Sequence, residues 1–114
     1  MSPLADQDCV SPHTDQTTLN QDQVAEYMRE FPDWEQKTVD GLDQLWRAYS
    51  FDDFAKALAF TQAVGELAEE QDHHPEIVTS WGAVTVKWWT HAVEGLHKND
   101  FIMAAKCDRA YAGD

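Results

Sequence analysis

The sequence predicts an α+β fold, an antiparallel sheet with helices packed on one face, in the order α-β-β-α-β-β-α. Three observations lead there. Asp40-Gly41 separates two strand-like runs and is a strong hairpin signal, because a type I′ turn needs positive φ at both central residues. A second pair of strand-like runs turns near Gly82. Stretches of helical period precede, separate and follow the two hairpins.

The chain has 114 residues, one domain's worth. Residues 1–18 are polar, carry Pro3 and Pro12 and lack an apolar period. They are expected to form a flexible arm ahead of a single domain over 19–114. A helix is expected over 20–31. Asn20 can cap it with Gln23 three residues on, and Val24, Tyr27, Met28 and Phe31 share one face. Pro32 ends it.

Strands are expected over 34–39 and 42–51. Both sides of the second carry apolar residues, so the period does not say which side is buried. Ser50 can cap the next helix, whose expected buried face is Phe54, Ala57, Leu58, Thr61, Val64 and Ala68, running to about Gln71. Strands over 76–81 and 83–91 follow, with Val84, Val86 and Trp88 on one face. The last helix, from about Asn99 to Tyr111, has a weak stripe of Phe101, Ala104, Ala105 and Tyr111.

Acidic residues number 21 against eight basic ones, a net charge of -13. Such a surface repels phosphate backbones and anionic lipid, which argues against nucleic-acid and membrane partners and leaves a small, weakly charged substrate open. Cys9 and Cys107 stand far apart and match neither a disulfide framework nor a zinc motif. No segment has the features of a signal peptide or a membrane span, so the expected setting is the cytoplasm.

Four of the five histidines fall between positions 73 and 97. His73-His74-Pro75 forms a stiff corner after a helix, because Pro75 restricts His74 to extended backbone. Adjacent histidines cannot point the same way in regular structure. The second hairpin returns the chain, so His91 at its end can approach the corner. Imidazoles, with an ordinary pKa of about 6.5, suit proton transfer near neutrality. No serine or cysteine stands in a nucleophile's setting. The implied chemistry is acid/base elimination, hydration or isomerisation. Two other readings stay open at this point. The corner can be purely structural, and Glu69 with His73, four apart, can supply part of a zinc site. His13 and His97 read as surface or capping residues, and Trp88-Trp89 as sheet packing with one ring per face.

The spacing Glu69-x3-His73-His74-Pro75-x5-Trp81-x9-His91-x8-Asp100 resembles the signature of the pterin-4a-carbinolamine dehydratases. The likeness extends over 20–108. The stretch from Trp88-Trp89-Thr90-His91 through Gly95-Leu96-His97 to Ala104-Ala105 is similar to the bacterial branch associated with phenylalanine hydroxylation. The resemblance implies a four-stranded antiparallel sheet, and a homodimer or a tetramer built from dimers. It also implies a hydro-lyase that removes water from 4a-hydroxytetrahydrobiopterin, or a related reduced pterin, with no metal or organic cofactor. The quinonoid dihydropterin so formed is recycled for phenylalanine hydroxylase.

By the same resemblance, His73 and His91 are general acids, one for each face of the pterin. His74 binds the ring and takes the N5 proton. Asp72, Thr90 and Asp100 line the pocket, with Trp34 at its edge. Glu69 is expected to orient His73. Trp88-Trp89 and Ala92 depart from the vertebrate pattern, which implies a different pocket rim. Vertebrate relatives also serve as dimerisation partners of a transcription factor, so the alternative is a non-enzymatic interaction module.

Overall fold

Both hairpins form where turn chemistry places them. Asp40 at φ 51° and Gly41 at φ 80° join β1 (Glu35–Val39) to β2 (Leu42–Ser50), with Val39 opposite Leu42. Gly82, also at φ 80°, joins β3 (Glu76–Ser80) to β4 (Ala83–Trp88). β2 and β4 then pair from Leu45↔Trp88 to Ser50↔Ala83, which gives one antiparallel sheet in the order β1-β2-β4-β3. The computed structural model describes residues 3–11 and 18–113.

Three helices complete the domain: α1 (Gln21–Met28), α2 (Phe54–Gln71) and α3 (Lys98–Tyr111). Asn20 and Gln23 form the expected capping box on α1, with both hydrogen bonds at 2.9 Å. The α2 and α3 helices lie on the sheet face carrying Leu45, Tyr49, Val84, Val86 and Trp88, all buried. α1 adds its side chains to α3, where Tyr27 stacks on Phe101 at 4.7 Å between ring centres. The opposite sheet face carries Trp46, with the ammonium groups of Lys87 and Lys37 at 4.0 and 4.7 Å from its ring centre.

Several expectations shift. Ser50 stays in β2, and the α2 cap is Asp53, whose carboxylate accepts from the Lys56 N–H at 2.8 Å. The buried face of α2 is Ala57, Phe60, Val64 and Ala68, while Phe54 and Leu58 are 44% and 52% exposed. Aromatic packing sets that rotation: Phe60 joins Tyr49, Phe51 and Tyr111 at 4.6–5.8 Å. Trp34 and Phe51 lie just outside their strands, and β4 ends at Trp88. On α3, every residue from Asn99 to Ala104 is buried, because the sheet, α1, α2 and the N-terminal segment surround that end. Tyr111, expected in the buried stripe, is exposed.

The expected flexible arm is tied down over residues 3–11. A 3-10 turn, Leu4–Asp6, packs on α3, the Lys106 ammonium donates to the Ala5 carbonyl at 2.9 Å, and Asp6 pairs with Arg109 at 2.7 Å. Residues 1–2, 12–17 and 114, and with them His13, lie outside the described residues.

Burial pushes the Cys9 and Cys107 thiols up to about 12, with Lys106 and the Trp88 indole, respectively, acting the other way. An unfolded thiol ionises near 9. Unfolding therefore releases these protons between about pH 9 and 12, and native stability falls as pH rises through that window. At pH 8, iodoacetamide should label neither thiol appreciably until urea unfolds the chain, as read by mass spectrometry. Rapid native labelling of Cys107 would contradict its burial.

Two glycines should respond oppositely to alanine. At Gly65, inside α2, a Cβ meets nothing within 4 Å, so Gly65→Ala should stabilise by about 0.5–1 kcal/mol. At Gly82 the backbone is left-handed and a Cβ sits 3.4 Å from the Phe51 carbonyl, so Gly82→Ala should destabilise by about 1 kcal/mol or more. Urea unfolding midpoints check both signs.

Candidate functional site

The site begins where α2 stops. Asp72 adopts a left-handed conformation, φ 52° and ψ 43°, and its N–H turns back to the Ala68 and Glu69 carbonyls. The His73 N–H also reaches the Ala68 carbonyl, at 3.1 Å. This closes the helix with the geometry that satisfies its last carbonyls. Aspartate tolerates the left-handed region better than most side chains, because its short polar group bonds locally. The turn has a direct consequence. The helix does not continue, so Glu69 and His73 do not share a face. Glu69 meets His74 instead, Oε2 to Nε2 at 2.7 Å, while His73 turns inward. The expected Glu69–His73 contact is thus replaced by a Glu69–His74 contact at the surface.

His73 is 8% exposed and stacks on Trp88 at 5.4 Å with a 16° tilt. Its Nε2 lies 2.6 Å from Asp100 Oδ1. Asp100 is wholly buried, and its second oxygen accepts from the Thr90 hydroxyl at 2.8 Å and the His97 N–H at 3.0 Å. With Asp100 ionised both of its oxygens are acceptors, and His73 then donates through Nε2, which leaves Nδ1 as its remaining nitrogen. The carboxylate also occupies the third position of α3, where the helix N-terminus favours a negative charge. His97 is the helix cap, with Nδ1 accepting from the Asn99 N–H at 3.0 Å, which is the capping role expected of it.

After β4 the chain passes Trp89 and Thr90 into a short 3-10 turn, His91–Val93. Glu94 follows at φ 53°, and Thr90 and Gly95 bridge back to one another. The turn presents His91 at the surface, edge-on to Trp89 at 5.2 Å. Sequence placed His91 at a strand end; it opens this turn instead, beyond the end of β4 at Trp88.

Asp72, His73, His74, Trp89, Thr90, His91 and Ala92 line one cleft of about 430 Å³. That volume is in the range of small-molecule sites, about 300–1,000 Å³. The corner and the hairpin end therefore meet as expected. Asp100 stands behind this lining, holding His73 and Thr90 from within. Trp34, expected at the pocket's edge, is elsewhere. It is buried between β2 and α3, and its indole N–H donates to Asp108 at 3.0 Å, beside Arg47 and Tyr49. Trp89, read above as sheet packing, lies past the end of β4 and joins the lining with Ala92, at the rim where the sequence departs from the vertebrate pattern. Their position beside Thr90-His91 was the available signal. Among the described residues, no group of three or more His, Cys, Asp or Glu side chains is arranged to hold a metal ion.

Comparison with known proteins adds four findings. Residues 17–110 match the family model described as pterin 4 alpha carbinolamine dehydratase. A curated protein of Syntrophotalea carbinolica, named provisionally as a pterin-4-alpha-carbinolamine dehydratase, is 48% identical over 108 residues, 95% of this chain and 96% of its own. Among solved structures, the transcriptional coactivator/pterin dehydratase from Brucella melitensis superposes with a TM-score of 0.75 at 33% identity, over 85% of this chain and all of that one. A pterin dehydratase-like protein identified as a RuBisCO assembly factor shares the fold, with a TM-score of 0.59 at 24% identity over 72% of this chain and 92% of its own. A match over most of the chain, joined to a relative this similar, places the protein in the pterin 4 alpha carbinolamine dehydratase family.

Proposed function

We propose that the chain is a hydro-lyase that converts 4a-hydroxytetrahydrobiopterin, or a related reduced pterin, to quinonoid dihydropterin and water. The observation that carries this is the meeting of His73, His74 and His91 in one cleft, with His73 held from behind by buried Asp100. A carbinolamine already tends to lose water. The enzyme has only to protonate the departing 4a-hydroxyl and remove the N5 proton. The C4a–O bond breaks, water leaves, and a C4a=N5 double bond forms.

His73 and His91 serve as the acids, one on each face of the ring, and His74 accepts the N5 proton. His73 works through Nδ1, because Nε2 is engaged by Asp100; as an acid it is the imidazolium with protons on both ring nitrogens, and giving the Nδ1 proton to the departing hydroxyl leaves the Nε2–H form. Glu69 orients His74 rather than His73. Thr90 helps hold Asp100, and Asp72 and Trp89 shape the wall against which the ring lies. Trp34 takes no part in this scheme. No step draws on a metal or an organic cofactor. The product suits recycling for an aromatic amino-acid hydroxylase such as phenylalanine hydroxylase.

Exposed Phe54 and Leu58 on α2, with Trp81 at 74% exposure, favour self-association into a dimer or a dimer of dimers. The same surface would serve the alternative reading, a dimerisation or regulatory module. The catalytic reading differs in needing all three histidines.

Carbinolamine made in place by a hydroxylase, with quinonoid product followed at pH 8, provides the assay. His73→Ala with His91→Ala should remove about 10²–10⁴-fold of acceleration, the range typical of positioned acid/base groups. An undiminished rate in the folded double variant would refute the proposed mechanism.

A further inference from the structure

The N-terminal segment touches the site's two supports at adjacent residues. The Cys9 N–H donates to Gln71 Oε1 at 2.7 Å, and Gln71 Nε2 donates to Asp8 at 3.0 Å. One residue on, the Val10 N–H donates to Asn99 Oδ1 at 3.0 Å, and Asn99 Nδ2 returns to the Val10 carbonyl at 2.7 Å. Gln71 is the last residue of α2, followed by Asp72 and His73. Asn99 directly precedes Asp100. Asn99 is 1% exposed, so its amide bonds are shielded from water.

His73 and Asp100 sit on different helix ends, 27 residues apart in the chain, and meet at 2.6 Å. Their separation depends on how the end of α2 lies against the start of α3. Both meet the sheet near its β4 end, where His73 stacks on Trp88 and Asp100 accepts from Thr90. Cys9 and Val10 bridge the termini directly, and Leu4, Asp6 and Ala5 anchor the same segment along α3.

We propose that residues 4–10 are a strap that sets the spacing of the His73–Asp100 pair, with Gln71 and Asn99 as its positioning residues. This rests on the reading of His73 as an acid. None of residues 4–10 lines the cleft, so the strap acts on the reaction through the two helix ends that it holds. Loosening it leaves the pterin's binding surface in place and blurs the aim of one imidazole. That signature is a fall in kcat at nearly constant KM.

Two full-length variants test this from opposite sides. Gln71→Ala with Asn99→Ala removes the receiving side chains. Leu4→Ser with Asp6→Ala and Asp8→Ala frees the strap while leaving α2, α3 and the cleft untouched. Both should lower kcat on the order of tenfold, short of the roughly 100-fold that a 1 Å misplacement can cause, with KM within about twofold. Amide exchange at His97, whose N–H donates to Asp100, should speed up by about tenfold in both. If exchange shows Cys9 and Val10 released in the second variant while kcat and the His97 amide stay as in the wild type, the strap is refuted. Should the wild-type chain itself fail to dehydrate the carbinolamine, the dehydratase reading falls, and the His97 exchange alone decides the strap.

Discussion

One buried carboxylate organises this molecule's working end. Asp100 takes His73 from the corner after α2, Thr90 from the segment after β4, and the His97 N–H from the start of its own helix. A wholly buried charge is tolerable only when its lone pairs are filled, and here three donors fill them. Removing any one donor leaves the others holding a charge with less compensation, so the three segments are coupled through a single group. The cleft is the space that remains once they converge. Stability and geometry at the site are therefore the same problem, solved at one residue.

That arrangement divides labour among the histidines by depth. His73 is buried, flat against Trp88 and limited to one free nitrogen. His74 and His91 are exposed, one steadied by Glu69 and the other by the Trp89 edge. Exposed pairs such as Glu69–His74 contribute little to stability, so their value lies in orientation. The proposed chemistry asks for such a mixture, one fixed group and two that can follow a substrate into place.

Much of this was legible in the residues, for identifiable reasons. Asp40-Gly41 and Gly82 announced the hairpins because left-handed turns demand those residue types, and Asn20 with Gln23 announced a helix start because capping is local. The alternation of Val84, Val86 and Trp88 was read correctly because a strand buried on one side repeats every two residues. What failed was decided at longer range. Phe54 and Leu58 look as apolar as Phe60, but only the aromatic group around Tyr49 determines which way α2 faces. Glu69 and His73 are spaced like neighbours on a helix, and only the left-handed Asp72 separates them. Trp34 looks like a cleft residue until Asp108, 74 positions away, claims its indole. The polar N-terminal stretch has no period to read, because its partners are side chains on α2 and α3 rather than its own neighbours.

The claim at the centre is that Asp100 holds His73 in one tautomer, with Nδ1 left to meet the substrate. Nitrogen-15 NMR of the His73 ring in the intact chain tests it most directly. The account predicts a proton resident on Nε2, slow to exchange, and an Nδ1 resonance that moves when a reduced pterin is added. A ring protonated on Nδ1 alone, or an Nδ1 that ignores the pterin while the cleft is occupied, would contradict it.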